Sequence, residues 1–228
     1  MLQEKLKQKL EDLEQKGYIS KVNEPTEWVS SLVVVRKENS DKLRICIDPT
    51  NLNRAIKRHH YQMPNIEDIV TKLKKAKIFS VLDAKDGFWQ VKLTEESSYL
   101  TTFQTPFGRF RWTVLPFGIK SAPEVFQMRM SEALEGLQGV AVVADDILVY
   151  GEGDTKEEAL EDHERNLRGL LERCIERKIK LNETKLKLRK DEITYIGQLL
   201  TSSGVKPDPK KIKAIQDLKS PSNKAELK

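Results

Sequence analysis

Residues 140–150 read Val140-Ala141-Val142-Val143-Ala144-Asp145-Asp146-Ile147-Leu148-Val149-Tyr150. The β-prone runs on either side of the paired aspartates predict a β-hairpin with both acids at its turn. Two like charges at one turn repel each other unless a cation lies nearby, so the pair indicates a metal site. Asp is also common in ordinary turns, because its side chain bonds to its own backbone. Taken alone, the pair fits either interpretation.

A third acid belongs with this pair. Residues 78–83, Ile-Phe-Ser-Val-Leu-Asp, predict a short buried strand that ends on Asp83, and Gly87 then lets the backbone bend. If this strand pairs with the hairpin, three carboxylates meet at one edge of a sheet. A few carboxylates, with the other positions left to water and phosphates, suit Mg2+. Two such ions, about 3.5–4 Å apart, would clamp the attacking and leaving oxygens of a phosphoryl transfer, as in polymerases and nucleases.

Composition narrows the class of protein. The chain has 228 residues, enough for one or two domains, and carries 40 Lys and Arg against 35 Asp and Glu, a net charge of +5. This small excess is compatible with a phosphate-bearing partner. The scattered Cys46 and Cys174 predict buried thiols and no disulfide framework, and His59 and His60 lack the cysteine partners of a zinc site.

The sequence also bears on the cellular location. No apolar run approaches the roughly 20 residues needed to cross a bilayer, so no membrane partner is expected. The amino-terminal segment is amphipathic and carries acids, unlike a secretory signal or a transit peptide. The expected location is therefore the cytoplasm, a virus-like particle or the nucleus. The residues leave the oligomeric state open.

Periodicity and capping signals predict the remaining elements. Thr155-Lys156-Glu157-Glu158 is a capping box that opens a helix, whose inward face is expected to be Leu160, Leu167, Leu170, Leu171 and Cys174. One strand is predicted over 193–200, and a further helix opens at 207–209. The order strand, excursion, helix, hairpin, helix and strand predicts an α+β fold of the split β-α-β-β type, with helices on one face of an antiparallel sheet.

Five blocks of sequence, taken in order, carry a family resemblance. They are Leu43-Arg44-Ile45-Cys46-Ile47-Asp48 with Asn51-Leu52-Asn53, Phe79-Ser80-Val81-Leu82-Asp83, Leu115-Pro116-Phe117-Gly118-Ile119-Lys120-Ser121-Ala122-Pro123, Ala144-Asp145-Asp146-Ile147-Leu148-Val149, and Tyr195-Ile196-Gly197. Together they resemble the reverse transcriptases of long-terminal-repeat retroelements, most closely those of the gypsy type. Any one block is weak, whereas five in order are specific.

The resemblance covers nearly the whole chain and implies a right-hand polymerase fold. Its parts would be fingers with an amino-terminal helix at 1–77, palm at 78–97, fingers again at 98–120, palm again at 121–203, and the start of a truncated thumb at 204–228. The implied activity is RNA- and DNA-templated DNA synthesis, adding deoxynucleotides to a primer 3′ end with two Mg2+ ions, for which Mn2+ could substitute. The implied partners are an RNA or DNA template with its primer, and deoxynucleoside triphosphates.

The resemblance also implies roles for single residues. Asp83, Asp145 and Asp146 would be the catalytic acids and metal ligands, the Ala84 carbonyl would complete the metal shell, and Lys185 would donate a proton to pyrophosphate. Phe88 would exclude a ribose 2′-hydroxyl. The nucleotide-binding residues would be Lys37, Lys42, Arg44, Ala84, Asp86, Phe88, Phe117 and Gly118, and the primer-binding residues would be Tyr195, Ile196 and Gly197.

One residue departs from the family pattern. Val143 stands two residues before the paired acids, where the family usually has an aromatic residue near the primer end. The family's protease, ribonuclease H and integrase segments are not expected in this chain. Two other interpretations remain: a domesticated or decayed element that binds nucleic acid without polymerising, and an RNA-dependent RNA polymerase with the same palm, against which Phe88 argues.

Overall fold

The protein has an α+β fold, as the sequence predicts, in this computed structural model that describes residues 2–36, 43–58 and 60–217. The contacts divide the chain into two compact units. Unit 1 comprises Met1–Met63 and Lys85–Ala133, and unit 2 comprises Pro64–Ala84 and Leu134–Lys228. None of the helices in the described ranges is both long and apolar enough to cross a membrane.

Seven helices and twelve strands are found in the described residues. The helices are α1 (Leu2–Gln15), α2 (Thr50–Ala55), α3 (Ile66–Val70), α4 (Glu95–Leu100), α5 (Ala122–Ala133), α6 (Lys156–Arg177) and α7 (Pro209–Gln216). The strands are β1 (Ile19–Val22), β2 (Ser30–Arg36), β3 (Leu43–Asp48), β4 (Ala76–Asp83), β5 (Phe103–Thr105), β6 (Gly108–Trp112), β7 (Val140–Val143), β8 (Asp146–Glu152), β9 (Lys187–Lys190), β10 (Glu192–Tyr195), β11 (Gln198–Thr201) and β12 (Gly204–Pro207). Short 3-10 turns lie at Gly87–Gln90 and Glu183–Lys185.

Unit 1 is built on a five-stranded sheet in the order β1-β6-β5-β2-β3. The pairs are antiparallel except β2 with β5, which run parallel. Helix α1 buries Leu6, Leu10 and Leu13, which lie three or four residues apart on one helical face. Phe103 and Trp112 lie completely buried in the sheet, and their rings are 5.9 Å apart. The Trp112 ring also lies 5.5 Å from the ring of Trp89, the residue next to the candidate nucleotide residue Phe88.

Unit 2 contains the sheet that carries the acids. Its order is β7-β8-β4-β9, and every pair is antiparallel. Strand β4 is central and almost wholly buried, which explains its nearly continuous apolar sequence. The predicted pairing of the Asp83 strand with the hairpin is therefore confirmed.

Helix α6 covers this sheet with a face that differs from the predicted one. The capping box at Thr155 is present, but Leu160 and Leu171 are 39% and 41% exposed, so their inward placement was wrong. The helix packs on β8 so closely that a Cβ atom at Gly151 would lie 2.0 Å from the Ala159 carbonyl oxygen. Because α6 approaches the sheet at the small Ala159, the face of the helix that is buried differs from the predicted face. The buried face includes Ala159, His163, Asn166, Leu167, Leu170 and Cys174.

The single strand predicted over 193–200 was also wrong. Residues in this range form β10 and β11, which are antiparallel neighbours in a three-stranded sheet, β10-β11-β12. Ile196 and Gly197 reverse the chain with φ angles of +46° and +70°. A two-residue loop with both φ angles positive is typical of a tight hairpin turn. Because β-prone residues lie on both sides, the sequence pattern does not reveal the turn at Ile196.

The two cysteines lie in different surroundings. Cys174 is buried, and burial raises the pKa of its thiol to about 11. Cys46 is only half-buried, although burial raises the pKa of its thiol as well. Both thiols are free, as predicted, and the prediction of burial is confirmed fully only for Cys174.

Candidate active site

The paired acids lie at the turn of the β7–β8 hairpin. Val143 and Asp146 form the last residue pair of its ladder, so Ala144 and Asp145 are the two loop residues. Ala144 adopts a φ of +51°, in the left-handed region that a side chain disfavours. A non-glycine residue persists in such a conformation only where the surroundings hold it there.

The third acid is brought to the same place by strand pairing. Asp83 ends β4 directly opposite Asp146 at the start of β8. The next residue, Ala84, donates its backbone N–H to the Asp145 carbonyl oxygen over 2.7 Å. The three predicted acids are therefore adjacent at one end of the sheet.

Lys185 and Asn182 bind the Asp83 carboxylate. The Lys185 ammonium lies 2.6 Å from Asp83 Oδ2, and the Asn182 amide donates to Oδ1 over 3.2 Å. The hydrogen bond to Asp83 raises the pKa of the Lys185 ammonium, against the opposing effect of burial. Lys185 therefore stays charged and neutralises part of the acidic cluster.

The charges at the turn are poorly compensated. Burial, followed by the charges of Asp83 and Asp146, raises the pKa of the Asp145 carboxyl. Burial and the Asp83 charge likewise raise the pKa of Asp146. Asp145 Oδ1 is also buried and has no hydrogen-bond partner among the described residues. A buried carboxylate oxygen with no donor is costly unless a cation approaches it.

These observations test whether the residues fit a divalent metal. In the part of the chain that the structure describes, no three His, Cys, Asp or Glu side chains are close enough to form a ready-made metal site. The donors are nevertheless of the right kind, because carboxylate oxygens are the ligands that Mg2+ prefers. The Asp145 oxygen has no hydrogen-bond partner among the described residues, and the Asp83 charge contributes to the raised pKa values of both Asp145 and Asp146. The residues therefore fit a hard cation that binds as an open site.

Tyr195 lies beneath this turn. Its side chain is 1% exposed, and its hydroxyl donates to the Asp146 carbonyl oxygen over 3.0 Å. Burial, followed by the Asp146 charge, raises the pKa of the Tyr195 hydroxyl. Of the three residues assigned to the primer, only Ile196 is exposed at the hairpin tip, with Gly197 beside it half-buried.

In unit 1, the predicted nucleotide residues form a small aromatic cluster. The Phe88 ring lies 5.1 Å from Phe117 and 5.5 Å from Phe126. The Arg44 guanidinium lies over the Phe117 ring at 5.1 Å, within the range of a cation–π contact. The structure thus brings Arg44, Phe88 and Phe117 together, with Phe126 behind them as a buried support.

Gly118 is fixed by a close backbone approach. A Cβ atom there would lie 2.4 Å from the Ile47 carbonyl oxygen, and its φ is +108°. Asn53 holds the same loop, donating to the Gly118 carbonyl and accepting from the Lys120 N–H, both over 2.9 Å. Asn53 belongs to the first of the five sequence blocks, but the pattern predicts no role for it because it does not show what the amide contacts.

The other predicted site residues are placed as follows. Asp86 is exposed and precedes the 3-10 turn with a φ of +52°. Ala84 is buried, and since its side chain is a methyl group, only its backbone carbonyl could bind a metal. Lys37 and Lys42 lie outside the described residues.

A comparison with protein families identifies the chain. The family model described as "Reverse transcriptase (RNA-dependent DNA polymerase)" matches residues 35–200. The chain belongs to this reverse transcriptase family. The match includes every block of the predicted acids and ends within the β10–β11 hairpin.

This reverse transcriptase chain is similar to segments of much longer proteins. It is 36% identical over 217 residues to the "Retrovirus-related Pol polyprotein from transposon 412" of Drosophila melanogaster, covering 91% of this chain and 17% of that protein. It is 35% identical over 202 residues to an uncharacterised protein of Caenorhabditis elegans, covering 88% and 15% respectively. The chain therefore spans less than a fifth of the length of these relatives.

A solved structure supports the fold of the reverse transcriptase chain. The foamy viral protease-reverse transcriptase, determined in complex with double-stranded DNA, matches with a TM-score of 0.85 and 25% identity. The match covers 98% of this chain and 38% of that one. The predicted fold class is thereby confirmed.

Proposed function

We propose that the chain is the polymerase part of a reverse transcriptase that copies RNA or DNA into DNA. The observation that carries this proposal is the meeting of Asp83 with the Asp145–Asp146 turn at the paired ends of β4 and β8. The reaction would join the primer 3′ oxygen to the α-phosphorus of a deoxynucleoside triphosphate and release pyrophosphate. The three acids lie beside the cationic Lys185, which bonds to Asp83. Together these groups supply the polar surroundings that this charged reaction needs.

The metal ligands would be Asp83, Asp145, Asp146 and the Ala84 carbonyl. Bound Mg2+, as two ions or with Mn2+ as a substitute, would neutralise the negative charge that develops on the attacking and leaving oxygens. The chain itself holds the acids in place through the β4–β8 ladder and through the Ala84 N–H bonded to the Asp145 carbonyl. The unpartnered Asp145 oxygen supports this assignment.

Lys185 would donate a proton to the departing pyrophosphate. Its ammonium is held 2.6 Å from Asp83 and 60% of its side chain is exposed, so it can reach a bound phosphate without leaving the site. The raised pKa of Lys185 keeps its ammonium protonated, so that a proton is available as negative charge develops on the leaving group.

The incoming nucleotide would be bound by unit 1. Arg44 would contact the triphosphate with its planar guanidinium, as would Lys37 and Lys42. The Phe117 ring beneath Arg44 restricts the orientation of that guanidinium. Gly118 and Asp86 would line the same site, and the Asn53 amide would hold Gly118 in register.

Phe88 would select the sugar. The Phe88 ring is half-buried and is held from behind by Phe117 and Phe126, so it cannot easily retreat from a ribose 2′-hydroxyl. We expect Phe88→Val to raise the incorporation of ribonucleotides relative to deoxynucleotides by about 10-fold or more, because the clash is removed. The exposed Phe107 is a matched control, since Phe107→Val removes a ring elsewhere in unit 1. An unchanged sugar preference in a folded, active Phe88→Val protein would reject this role.

The partners and the type of element follow from the same proposal. The template with its primer would be RNA or DNA, in line with the RNA-dependent activity in the family description and the double-stranded DNA bound by the foamy viral protein. Ile196 and Gly197, at the tip of the β10–β11 hairpin, would contact the primer. The order of the sequence blocks and the transposon relative favour a gypsy-type retroelement. Fingers, palm and thumb would follow the boundaries given by the sequence.

Primer extension tests the proposal directly. The 228-residue chain should add deoxynucleotides to a primer annealed to RNA or DNA when Mg2+ is present. Asp145→Asn should reduce the rate by a factor of about 1,000 or more, because it removes a charge that holds the metal. Glu161→Gln, on the exposed side of α6, is the control and should leave extension unchanged. Binding of primer–template without any extension would favour the alternative, a nucleic-acid-binding protein that does not polymerise.

A further inference from the structure

Tyr195 connects two hairpins of unit 2 through one hydroxyl group. It is the last residue of β10, and its ring is buried in the core cluster that also contains Phe79, Val81 and Tyr150. Its hydroxyl reaches the other hairpin and donates to the Asp146 carbonyl oxygen over 3.0 Å. A buried tyrosine with its hydroxyl satisfied in this way is a rigid link, because only two side-chain torsions have to be fixed.

This bond reaches the acid turn, the segment 144–146 that carries the paired acids. Val143 and Asp146 are the closing pair of the β7–β8 ladder, so the Tyr195 hydroxyl bonds to the first residue after the two-residue loop. The start of β8 is therefore anchored immediately after the Ala144–Asp145 loop. Within the loop itself, the Ala84 N–H donates to the Asp145 carbonyl oxygen. The acid turn thus has two attachments that come from outside its own hairpin.

The turn needs such attachments for two physical reasons. Ala144 has a left-handed backbone that an alanine does not prefer. The carboxylates of Asp83, Asp145 and Asp146 also raise one another's energy when charged, and this tends to separate them. Without fixed anchors, both effects would allow the loop to relax away from the geometry that brings the acids together.

We infer that Tyr195 is a positioning residue, whose hydroxyl holds the acid turn ready for metal and ties it to the Ile196–Gly197 turn. This inference rests on the proposed function, and it places the Tyr195 side chain behind the site. The ring is buried and cannot itself touch a primer. A primer that contacts Ile196 and Gly197 would instead lie next to Tyr195, the residue that anchors Asp146.

The variant Tyr195→Phe removes the hydroxyl and leaves the ring. Tyr150→Phe is the matched control, because Tyr150 belongs to the same core cluster but lies four residues along β8 from Asp146. At about 3.3 Å per residue, that is about 13 Å from the anchored carbonyl. Equal melting temperatures for the two variants would show that any further difference comes from the lost bond to the turn.

Three measurements on the 228-residue chain decide the inference. Mn2+ binding, followed by electron paramagnetic resonance without nucleic acid, should weaken about 10-fold in Tyr195→Phe and remain unchanged in Tyr150→Phe, since partners of metal-ligating groups have effects of this size. Amide hydrogen exchange at residues 145–147 should become faster in Tyr195→Phe alone. In primer extension, kcat should fall at low Mg2+ and recover as Mg2+ is raised, with little change in KM for the nucleotide.

Failure of this inference can be distinguished from failure of the proposed function. If Tyr195→Phe matches the wild-type protein in Mn2+ affinity and in amide exchange, the inference is overturned, whether or not the chain extends primers. If the wild-type chain extends no primer, the proposed function fails. Exchange at residues 145–147 in the metal-free protein would then still decide whether Tyr195 positions the turn.

Discussion

At the scale of single residues, the charge of Asp145 opposes the stability of the fold. The pKa of the Asp145 carboxyl is raised because burial and the charges of Asp83 and Asp146 disfavour its ionised form. The folded chain therefore binds this proton more tightly than the unfolded chain does. As the pH rises from the unfolded pKa of about 3.9 through the higher folded pKa, Asp145 ionises at a cost to folding.

Because ionised Asp145 lowers the free energy of unfolding, we expect Asp145→Asn to be more stable than the wild-type protein at neutral pH without divalent metal. We expect the free energy of unfolding at pH 7 to rise by about 1 kcal/mol, a usual gain from removing unfavourable charge. The gain should disappear at about pH 3, where both proteins are uncharged at this position. Urea unfolding at the two pH values measures the difference.

Asp12 gives a control of opposite sign. The hydrogen bond from Lys16 lowers the pKa of Asp12, and the pair lies on the exposed face of α1. Asp12→Asn should therefore lose a few tenths of a kcal/mol at pH 7, a small effect because water screens the pair. A loss of stability in Asp145→Asn as well would contradict the charge repulsion described for the acid turn.

The sequence reveals the acids more readily than the groups that hold them. Adjacent aspartates between β-prone runs give a visible pattern, and the pairing of Asp83 with Asp146 follows from the predicted strands. The contacts of Tyr195 and Asn53 depend on tertiary placement, which no local pattern contains. The same holds for Ser80 and His163, which share a hydrogen bond of 2.8 Å in the buried contact between β4 and α6.

At the scale of elements, the packing of α6 on β8 depends on the absence of side chains at two glycines. A Cβ atom at Gly151 would lie 2.0 Å from the Ala159 carbonyl and 2.5 Å from His163 Cβ. At Gly153 it would lie 2.6 Å from the Ala159 backbone nitrogen. These atoms belong to the helix backbone or its first side-chain carbon, and they cannot move without shifting the helix.

Gly151→Ala should therefore destabilise the protein by about 3 kcal/mol, near the upper end of the usual cost of overpacking. Gly169→Ala is the matched control within α6, where the added Cβ meets only Leu137 Cδ2, at 3.9 Å. That substitution should stabilise the protein by about 0.5–1 kcal/mol, because alanine favours the helix over glycine. Urea denaturation compares the two, and equal effects would reject the close helix–strand contact.

The elements themselves were predictable where their signals are local. The capping box at Thr155 and the proline-flanked start of α7 predict helix ends correctly. The β10–β11 turn was missed because Ile196, a β-branched residue, adopts the left-handed conformation that sequence rules reserve for Gly, Asn or Asp. The buried face of α6 was misjudged because Gly151 determines it from another part of the chain.

At the scale of the whole molecule, each unit is assembled from two separate segments of the chain. Unit 2 takes β4 from residues before 85 and its other strands from residues after 133. The segment between them, Lys85–Ala133, folds into unit 1. Sequence order alone does not predict this division, and the boundaries of fingers, palm and thumb stay a prediction.

This division has a consequence for synthesis on the ribosome. Strand β4 emerges before both of its neighbours in the sheet, β8 and β9. Asp83 can pair with Asp146 only after 63 further residues have been synthesised. At about 5–20 residues per second, the apolar strand remains without a partner for about 3–13 s. Unpaired β-prone strands are prone to aggregate during such intervals. The three acids of the candidate site therefore come together only after a period in which β4 must be protected from aggregation.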